Sequence, residues 1–190
     1  MKNILIGLGV LIILLIGGFF VLNSYIYNEK QGGGLPIEYR DVTFWVSGEP
    51  VTLRDGVAEA YTALGGDTKT IIRYFGNEVS HDIDGDGLED MVFLITQDTG
   101  GSGTFFYAVG ALKRDGGYEG THAVYIGDRI APQSTEKGEG RQIVINYADR
   151  KPGEPMSARP SVGKSLRLLL GLDSLEFGEV VQNFEGESAR

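Results

Sequence analysis

The chain has 190 residues, a formal net charge of −9 and no cysteine. Its length suits one domain of ordinary size, and its 29 glycines with a hydrophobic content of 42% favour a turn-rich, strand-rich globular fold over disorder. The acidic balance argues against nucleic acid as a partner and makes cations the expected ligands. The lack of cysteine excludes a disulfide framework and a lipid-modified cysteine anchor.

The first segment predicts a membrane anchor. Residues 4–22, ILIGLGVLIILLIGGFFVL, carry no charge. At about 1.5 Å per residue, a helix of this length just crosses a hydrocarbon core of ~30 Å. We therefore predict contact with the lipid bilayer through residues 4–22, with Lys2 inside and the rest of the chain on the extracytoplasmic side of the cell membrane. A cleaved signal peptide, with a poor cleavage site at Leu22 and Ser24, is the alternative.

Composition divides the chain into four parts. We predict a transmembrane anchor at 1–23, a flexible tether at 24–34 that ends in three glycines, an exported β-rich domain at 35–172 and an acidic C-terminal tail at 173–190. Short apolar runs bounded by Gly, Asp and Pro clusters are typical of strands. The predicted fold is mostly β, an antiparallel sandwich or a partly open barrel preceded by one transmembrane helix.

Eight runs in the exported part predict strands. They are 42–46, 51–53, 70–75, 91–95, 105–112, 123–126, 142–147 and 165–170. Because 91–95 is apolar without alternation, it predicts a central strand covered on both faces, with 105–112 as its hairpin partner. Residues 57–64 are the one modest helical candidate after the anchor, and their apolar spacing is equally compatible with a loop. Trp45 could form a ligand platform with Phe44, but alternation with Val42 and Val46 favours a place in the core.

Residues 82–90, DIDGDGLED, have the oxygen spacing of a calcium loop. Counting Asp82 as position 1 places Asp84 at 3, Asp86 at 5, the carbonyl of Leu88 at 7 and Asp90 at 9. Calcium takes about six to eight oxygens at about 2.3 to 2.6 Å, and alternate side chains of a curled, glycine-rich loop can converge on one point. We predict a structural Ca²⁺ held by these five residues. A turn rich in Asp and Gly, without metal, is the alternative.

The loop is not an EF-hand, because position 12 is Phe93 rather than Glu and the flanking segments predict strands. With Phe75 and Gly76 before it and the apolar run 91–95 after it, the loop resembles the calcium loop of the FG-GAP and VCBS repeats of extracellular β proteins. That resemblance implies calcium ligation at the same five positions. The single copy argues against a propeller.

A looser resemblance extends over residues 74–160. With its Asp-Gly-Asp-Gly, GGSGTFFYAV and GDRIAPQ segments, this region resembles small uncharacterised bacterial proteins that are anchored in the cell envelope. That resemblance implies a location in the envelope and no particular activity.

No arrangement of catalytic residues stands out in the sequence. Ser102 lies in a glycine-rich segment without the frame of a nucleophile elbow, and neither His81 nor His122 is paired with an activated nucleophile. We predict a non-catalytic binding or structural module of the cell envelope, with an envelope protein or a glycan as its ligand. An envelope hydrolase with an unlocated active site and an accessory subunit of a membrane complex are the alternatives.

Overall fold

The computed structural model describes residues 35–61 and 69–181. The predicted anchor at 1–23 and tether at 24–34 lie outside these residues. Within them, no helix has the length and apolar character that crossing a membrane requires. The helical structure found there is a 3-10 turn at Tyr39–Asp41.

Twelve strands build the described part of the domain. They are β1 (Thr43–Val46), β2 (Glu49–Thr52), β3 (Val57–Tyr61), β4 (Lys69–His81), β5 (Asp90–Asp98), β6 (Phe105–Arg114), β7 (Gly117–Gly120), β8 (Val124–Asp128), β9 (Ala131–Lys137), β10 (Ile143–Asp149), β11 (Val162–Leu170) and β12 (Phe177–Glu179). Every ladder between them is antiparallel. The prediction of a mostly β, antiparallel fold is therefore confirmed.

The strands form three sheets. The largest has the order β3-β4-β5-β6-β7. One edge of β6 pairs with two strands: its last residues pair with β7, and its first residues pair with β8. A second sheet has the order β12-β11-β10-β9, and β1 and β2 form a hairpin. In the described ranges none of these sheets closes into a barrel, so the arrangement is that of a sandwich.

The six-stranded sheet is buried on both faces. In β5, Val92 and Leu94 belong to a core cluster shared with Ile143 and Leu168 of the four-stranded sheet. Their neighbours Phe93 and Ile95 point the other way, into a second cluster with residues of the β1–β2 hairpin. All four β5 side chains are fully buried, each contributing about 1.5 to 3 kcal/mol of transfer free energy. The predicted central strand with two covered faces, and its hairpin with β6, are confirmed.

Two predictions made from local patterns were wrong. The helical candidate at 57–64 forms β3 over Val57–Tyr61, because pairing with β4 outweighs a weak local period. Trp45 was expected in the core, but the residue is 41% exposed while Phe44 is fully buried. The physical reason is the two-residue period of a strand: if Val42, Phe44 and Val46 face inward, Trp45 must face outward.

Three further strands were not predicted. β7 is short and glycine-bounded, and β9 is APQSTEK, in which polar residues predominate. β12 lies inside the segment assigned to the acidic tail and pairs with Leu168 to Leu170 of β11. Its Phe177 packs against the core cluster of the four-stranded sheet. These three strands were not predicted because their own sequences carry no strand pattern, and their pairing depends on the neighbouring strands.

A close backbone approach joins the β1–β2 hairpin to the large sheet. Trp45 forms a parallel bridge with His122, in which the Trp45 N–H donates to the Thr121 carbonyl at 3.2 Å. The Ala123 N–H donates in turn to the Trp45 carbonyl at 2.8 Å. A Cβ on Gly120 would lie only 2.1 Å from the Thr43 carbonyl oxygen. Glycine at 120 is therefore what allows β1 to approach β7.

Candidate metal centre

The aspartate loop connects β4 to β5, and Ile83 anchors it. Ile83 is fully buried in the core cluster between the two larger sheets, where its Cδ1 lies against Gly110. Nη1 of Arg141 donates to the Ile83 carbonyl at 3.1 Å, so the β9–β10 side of the molecule also holds the loop. The loop backbone bends around Ile83, so Ile83 is buried in the core while Asp82 and Asp84 on either side of it remain only partly buried.

Three carboxylates converge in this loop. One oxygen from each of Asp82, Asp84 and Asp86 lies within 4.8 Å of the other two. Asp82 and Asp84 are partly buried, whereas Asp86 is exposed. At such separations like charges repel by about 1 kcal/mol per pair in water, and by more near a protein surface. The loop must therefore contain groups that offset the repulsion.

Backbone N–H groups of the loop supply part of that compensation. They donate to carboxylate oxygens of the same loop: Gly85 to Asp82 Oδ1 at 2.7 Å, Gly87 to Asp82 Oδ2 at 3.0 Å, Asp86 to Asp84 Oδ1 at 3.1 Å and Leu88 to Asp86 Oδ1 at 2.8 Å. Gly85 and Gly87 have φ values of +85° and +89°, which side chains rarely tolerate. The two glycines therefore let the backbone curl around its own acids.

Arg114, at the end of β6, supplies a full positive charge. Its Nη1 lies 2.6 Å from Oδ2 of Asp84 and 3.4 Å from Oδ2 of Asp86, and its Nε donates to Glu119 at 3.0 Å. Partial burial acts to lower the pKa of Arg114, but hydrogen bonds to Asp84 and Glu119 outweigh it and raise that pKa. This residue was not predicted. The signal was present, because the β5–β6 hairpin brings the end of β6 back to the start of β5.

Asp90 is placed differently from the three clustered acids. It is fully buried, and its oxygens accept the N–H groups of Ile83 at 3.0 Å and Lys113 at 2.7 Å. Burial raises the pKa of Asp90, although those two hydrogen bonds act to lower it. Asp90 therefore ties the beginning of the loop to the end of β6. Leu88, the remaining predicted ligand, has a side chain that is 44% exposed.

The structure thus brings together three of the five predicted positions. Asp82, Asp84 and Asp86 lie close enough to bind one metal ion. Each carboxylate oxygen has two lone pairs, so an oxygen that accepts an N–H can also coordinate a cation. Carboxylate oxygens are hard ligands, which suit Mg²⁺, Ca²⁺ and Mn²⁺ better than softer metals.

Comparison of the chain with family models, with curated proteins and with solved structures found no match.

Proposed function

We propose that the loop binds one calcium ion and that this ion acts as a structural clip in a non-catalytic module of the cell envelope. The observation that carries the proposal is the convergence of Asp82, Asp84 and Asp86 while Ile83 between them is buried. In this proposal the loop functions as the calcium loops of FG-GAP and VCBS repeats do. Residues 4–22 anchor the module in the membrane, with its β domain on the extracytoplasmic side.

Calcium suits the loop better than magnesium. Calcium accepts irregular shells of about six to eight oxygens, including backbone carbonyls and water, whereas magnesium demands a near-ideal octahedron at about 2.0 to 2.1 Å. The clustered acids lie on one short loop with two glycines in left-handed conformations, which gives an uneven set of oxygens. Asp90 and the Leu88 carbonyl complete the shell in this proposal, together with water.

A holding role fits the surroundings of the loop better than a signalling role. Ile83 and Asp90 attach the loop to the core and to β6, and Arg141 attaches it to the opposite sheet. Sensor loops move a hinged pair of helices when calcium binds. Here both flanking elements are strands of one sheet, with neighbouring ladders on either side. Calcium would therefore lower the free energy of the folded state without changing its shape.

Thermal unfolding of the full-length chain in detergent micelles tests the proposal. With calcium at about one hundred times its Kd, the free energy of unfolding should rise by about 2.7 kcal/mol over the value in chelator. Asp84→Asn should remove most of this difference. Asp173→Asn, which makes the same charge change at an exposed position outside the loop, should keep it.

Equal melting curves of the wild-type chain in calcium and in chelator would refute the clip. If Asp84→Asn and Asp173→Asn reduced the calcium-dependent stabilisation equally, that stabilisation would come from the overall charge of the protein and not from the loop. Magnesium at the same concentration should produce a clearly smaller rise.

A further inference from the structure

A second candidate site lies on the opposite side of the β1–β2 hairpin from the core. A cleft of about 400 Å³ opens between the β1–β2 turn, the β7–β8 connection and the turn before β12. Its walls combine aromatic rings with polar groups, which come from Trp45, Ser47, His122, Tyr125 and Glu176. None of these belongs to the aspartate loop.

Two large aromatic side chains are exposed at this cleft. Trp45 is 41% exposed and Tyr125 is 52% exposed. Their rings are nevertheless held in place by neighbours. The indole of Trp45 stacks on the imidazole of His122 with centroids 5.6 Å apart and planes 14° apart, and Tyr125 packs edge-on against Tyr107 at 5.4 Å. A ligand would therefore meet aromatic surfaces that are already ordered, which lowers the entropy cost of binding.

Hydrogen-bonding groups surround these rings. The Ser47 hydroxyl lies 3.5 Å from the Tyr107 hydroxyl, which donates to Gln97 at 3.0 Å. On the other wall, the Glu176 carboxylate lies 3.9 Å from Nδ1 of His122 and its side chain is 64% exposed. Donors and acceptors are thus both available, next to apolar ring surface.

The backbone around the cleft is fixed by hydrogen bonds between its walls. The His122 N–H donates to the Leu175 carbonyl at 2.9 Å, which holds the turn before β12 against the β7–β8 connection. Leu175 itself has a φ of +54°, and Ser47 in the opposite wall has a φ of +54°. For Ser47 this conformation belongs to the two-residue Ser47-Gly48 turn that joins β1 to β2. The hairpin turn and the hydrogen bond from His122 therefore fix the backbone of both walls.

We propose that this cleft binds a neutral saccharide. A sugar ring has an apolar C–H face that packs on aromatic rings and a rim of hydroxyls that both donate and accept hydrogen bonds. A quaternary ammonium ion would use the rings and Glu176 but would leave the Ser47 hydroxyl without a role. The proposal gives the binding module a ligand class, and its site is separate from the metal loop.

Trp45 makes the test direct, because it is the single tryptophan of the chain. The full-length protein, in a detergent without a sugar headgroup, is applied to an array of neutral oligosaccharides, and the best-bound member is titrated against Trp45 emission. We expect saturable binding with a change in emission. Tyr125→Ala should weaken it about tenfold, and Glu176→Gln should weaken it measurably.

Phe75→Ala provides the matched control. Phe75 is also an exposed aromatic residue, at 44%, but it lies in β4 and outside the cleft, so its removal should leave binding unchanged. Absence of binding to every oligosaccharide on the array would overturn the proposal. So would binding that Tyr125→Ala and Glu176→Gln both leave intact, or emission that responds only to tetramethylammonium. If calcium leaves the melting curve unchanged while a saccharide binds, only the calcium clip is refuted. If calcium raises the free energy of unfolding and no saccharide binds, only the cleft proposal is refuted.

Discussion

Nη1 of Arg114 lies 2.6 Å from Oδ2 of Asp84, so a side chain of β6 places a positive charge directly on the acidic loop between β4 and β5. A cation bound by the three clustered acids would share Asp84 with this guanidinium. Arg114 therefore stabilises the loop by offsetting its charge, and by the same charge it weakens the attraction of the loop for a metal ion.

Replacing Arg114 by Gln should separate these two effects. We expect the free energy of unfolding in chelator to fall by about 1 kcal/mol, because the acids lose a charge-assisted partner. Calcium affinity should rise about five- to tenfold, because one competing positive charge is removed. Unfolding curves in chelator and calorimetric titration measure the two quantities.

Arg129→Gln is the control for the Arg114 variant. Arg129 also forms an ion pair, with Asp128 at 3.0 Å, but it lies immediately after β8 and far from the loop in sequence. Its loss should reduce stability slightly and leave calcium affinity unchanged. If calcium affinity fell in Arg114→Gln, the idea that Arg114 competes with calcium for Asp84 would be wrong.

Asp90 should contribute to stability whether or not calcium is present. Asp90→Asn keeps one acceptor oxygen but turns an NH₂ group toward one of the two buried N–H donors, which then loses its bond. We expect a loss of about 1 to 3 kcal/mol in the free energy of unfolding in chelator. Denaturant unfolding measures it. A loss that occurred only in the presence of calcium would contradict the tie between the loop and β6 and would leave Asp90 the role of a ligand alone.

Ile83 should couple the loop to the core. Ile83→Ala removes a fully buried side chain from the cluster between the two larger sheets, at an expected cost of about 2 to 5 kcal/mol. Calcium affinity should fall as well, since the loop loses its anchor. Leu88→Ala, at a 44% exposed position of the same loop, should change stability by no more than about 0.5 kcal/mol. Thermal melts of the two variants, with and without calcium, provide the comparison.

The ion pair between Asp149 and Lys164 should give a pH-dependent contribution. The Lys164 ammonium donates to Oδ2 of Asp149 at 2.7 Å, and this bond holds the pKa of Asp149 below its ordinary value. A lowered pKa in the folded state means that the stabilisation is present above the unfolded pKa, about 3.9, and is lost as the pH falls through the folded pKa.

Lys164→Gln should therefore lower the free energy of unfolding by about 0.5 kcal/mol at pH 7, a small value because the lysine side chain is 45% exposed. The difference from wild type should shrink to zero once the pH is low enough to protonate Asp149 in both the folded and the unfolded state. Lys151→Gln, at an exposed position, serves as the control. A difference that stays constant down to that pH would mean that the lysine acts by packing.

Much of the fold could be predicted from the sequence, because strands buried on one or both faces leave a pattern of apolar residues. The run that became β5 shows this, since Phe93 and Leu94 are apolar neighbours that serve two different cores. β9 shows the limit. Its polar residues carry no such pattern, and its place depends on pairing with β10, a strand that follows it in sequence.

The candidate metal centre could be predicted in part for a similar reason. The spacing of residues along one loop is a local property, so the cluster of Asp82, Asp84 and Asp86 could be predicted from the sequence. Arg114 and the burial of Asp90 depend on the register with which β6 returns beside β5; the hairpin was predicted, but its register was not. The exposure of Trp45 was misjudged because the alternation of Val42 and Val46 was taken to favour the core for Trp45 as well, whereas a strand that buries Val42, Phe44 and Val46 turns Trp45 outward.

The order of strands within the sheets has a consequence for how the chain is made. β3 to β7 neighbour one another in chain order, and so do β9 to β12, so each sheet comes from one continuous stretch of sequence. As the chain emerges from its N-terminal end, from the ribosome or across a membrane, β3 to β7 can pair before β9 to β12 are all available. Until the second stretch arrives, the face with Val92 and Leu94 has no cover. In that interval the exposed apolar face makes the nascent chain most prone to aggregation, and this face is where a chaperone would bind.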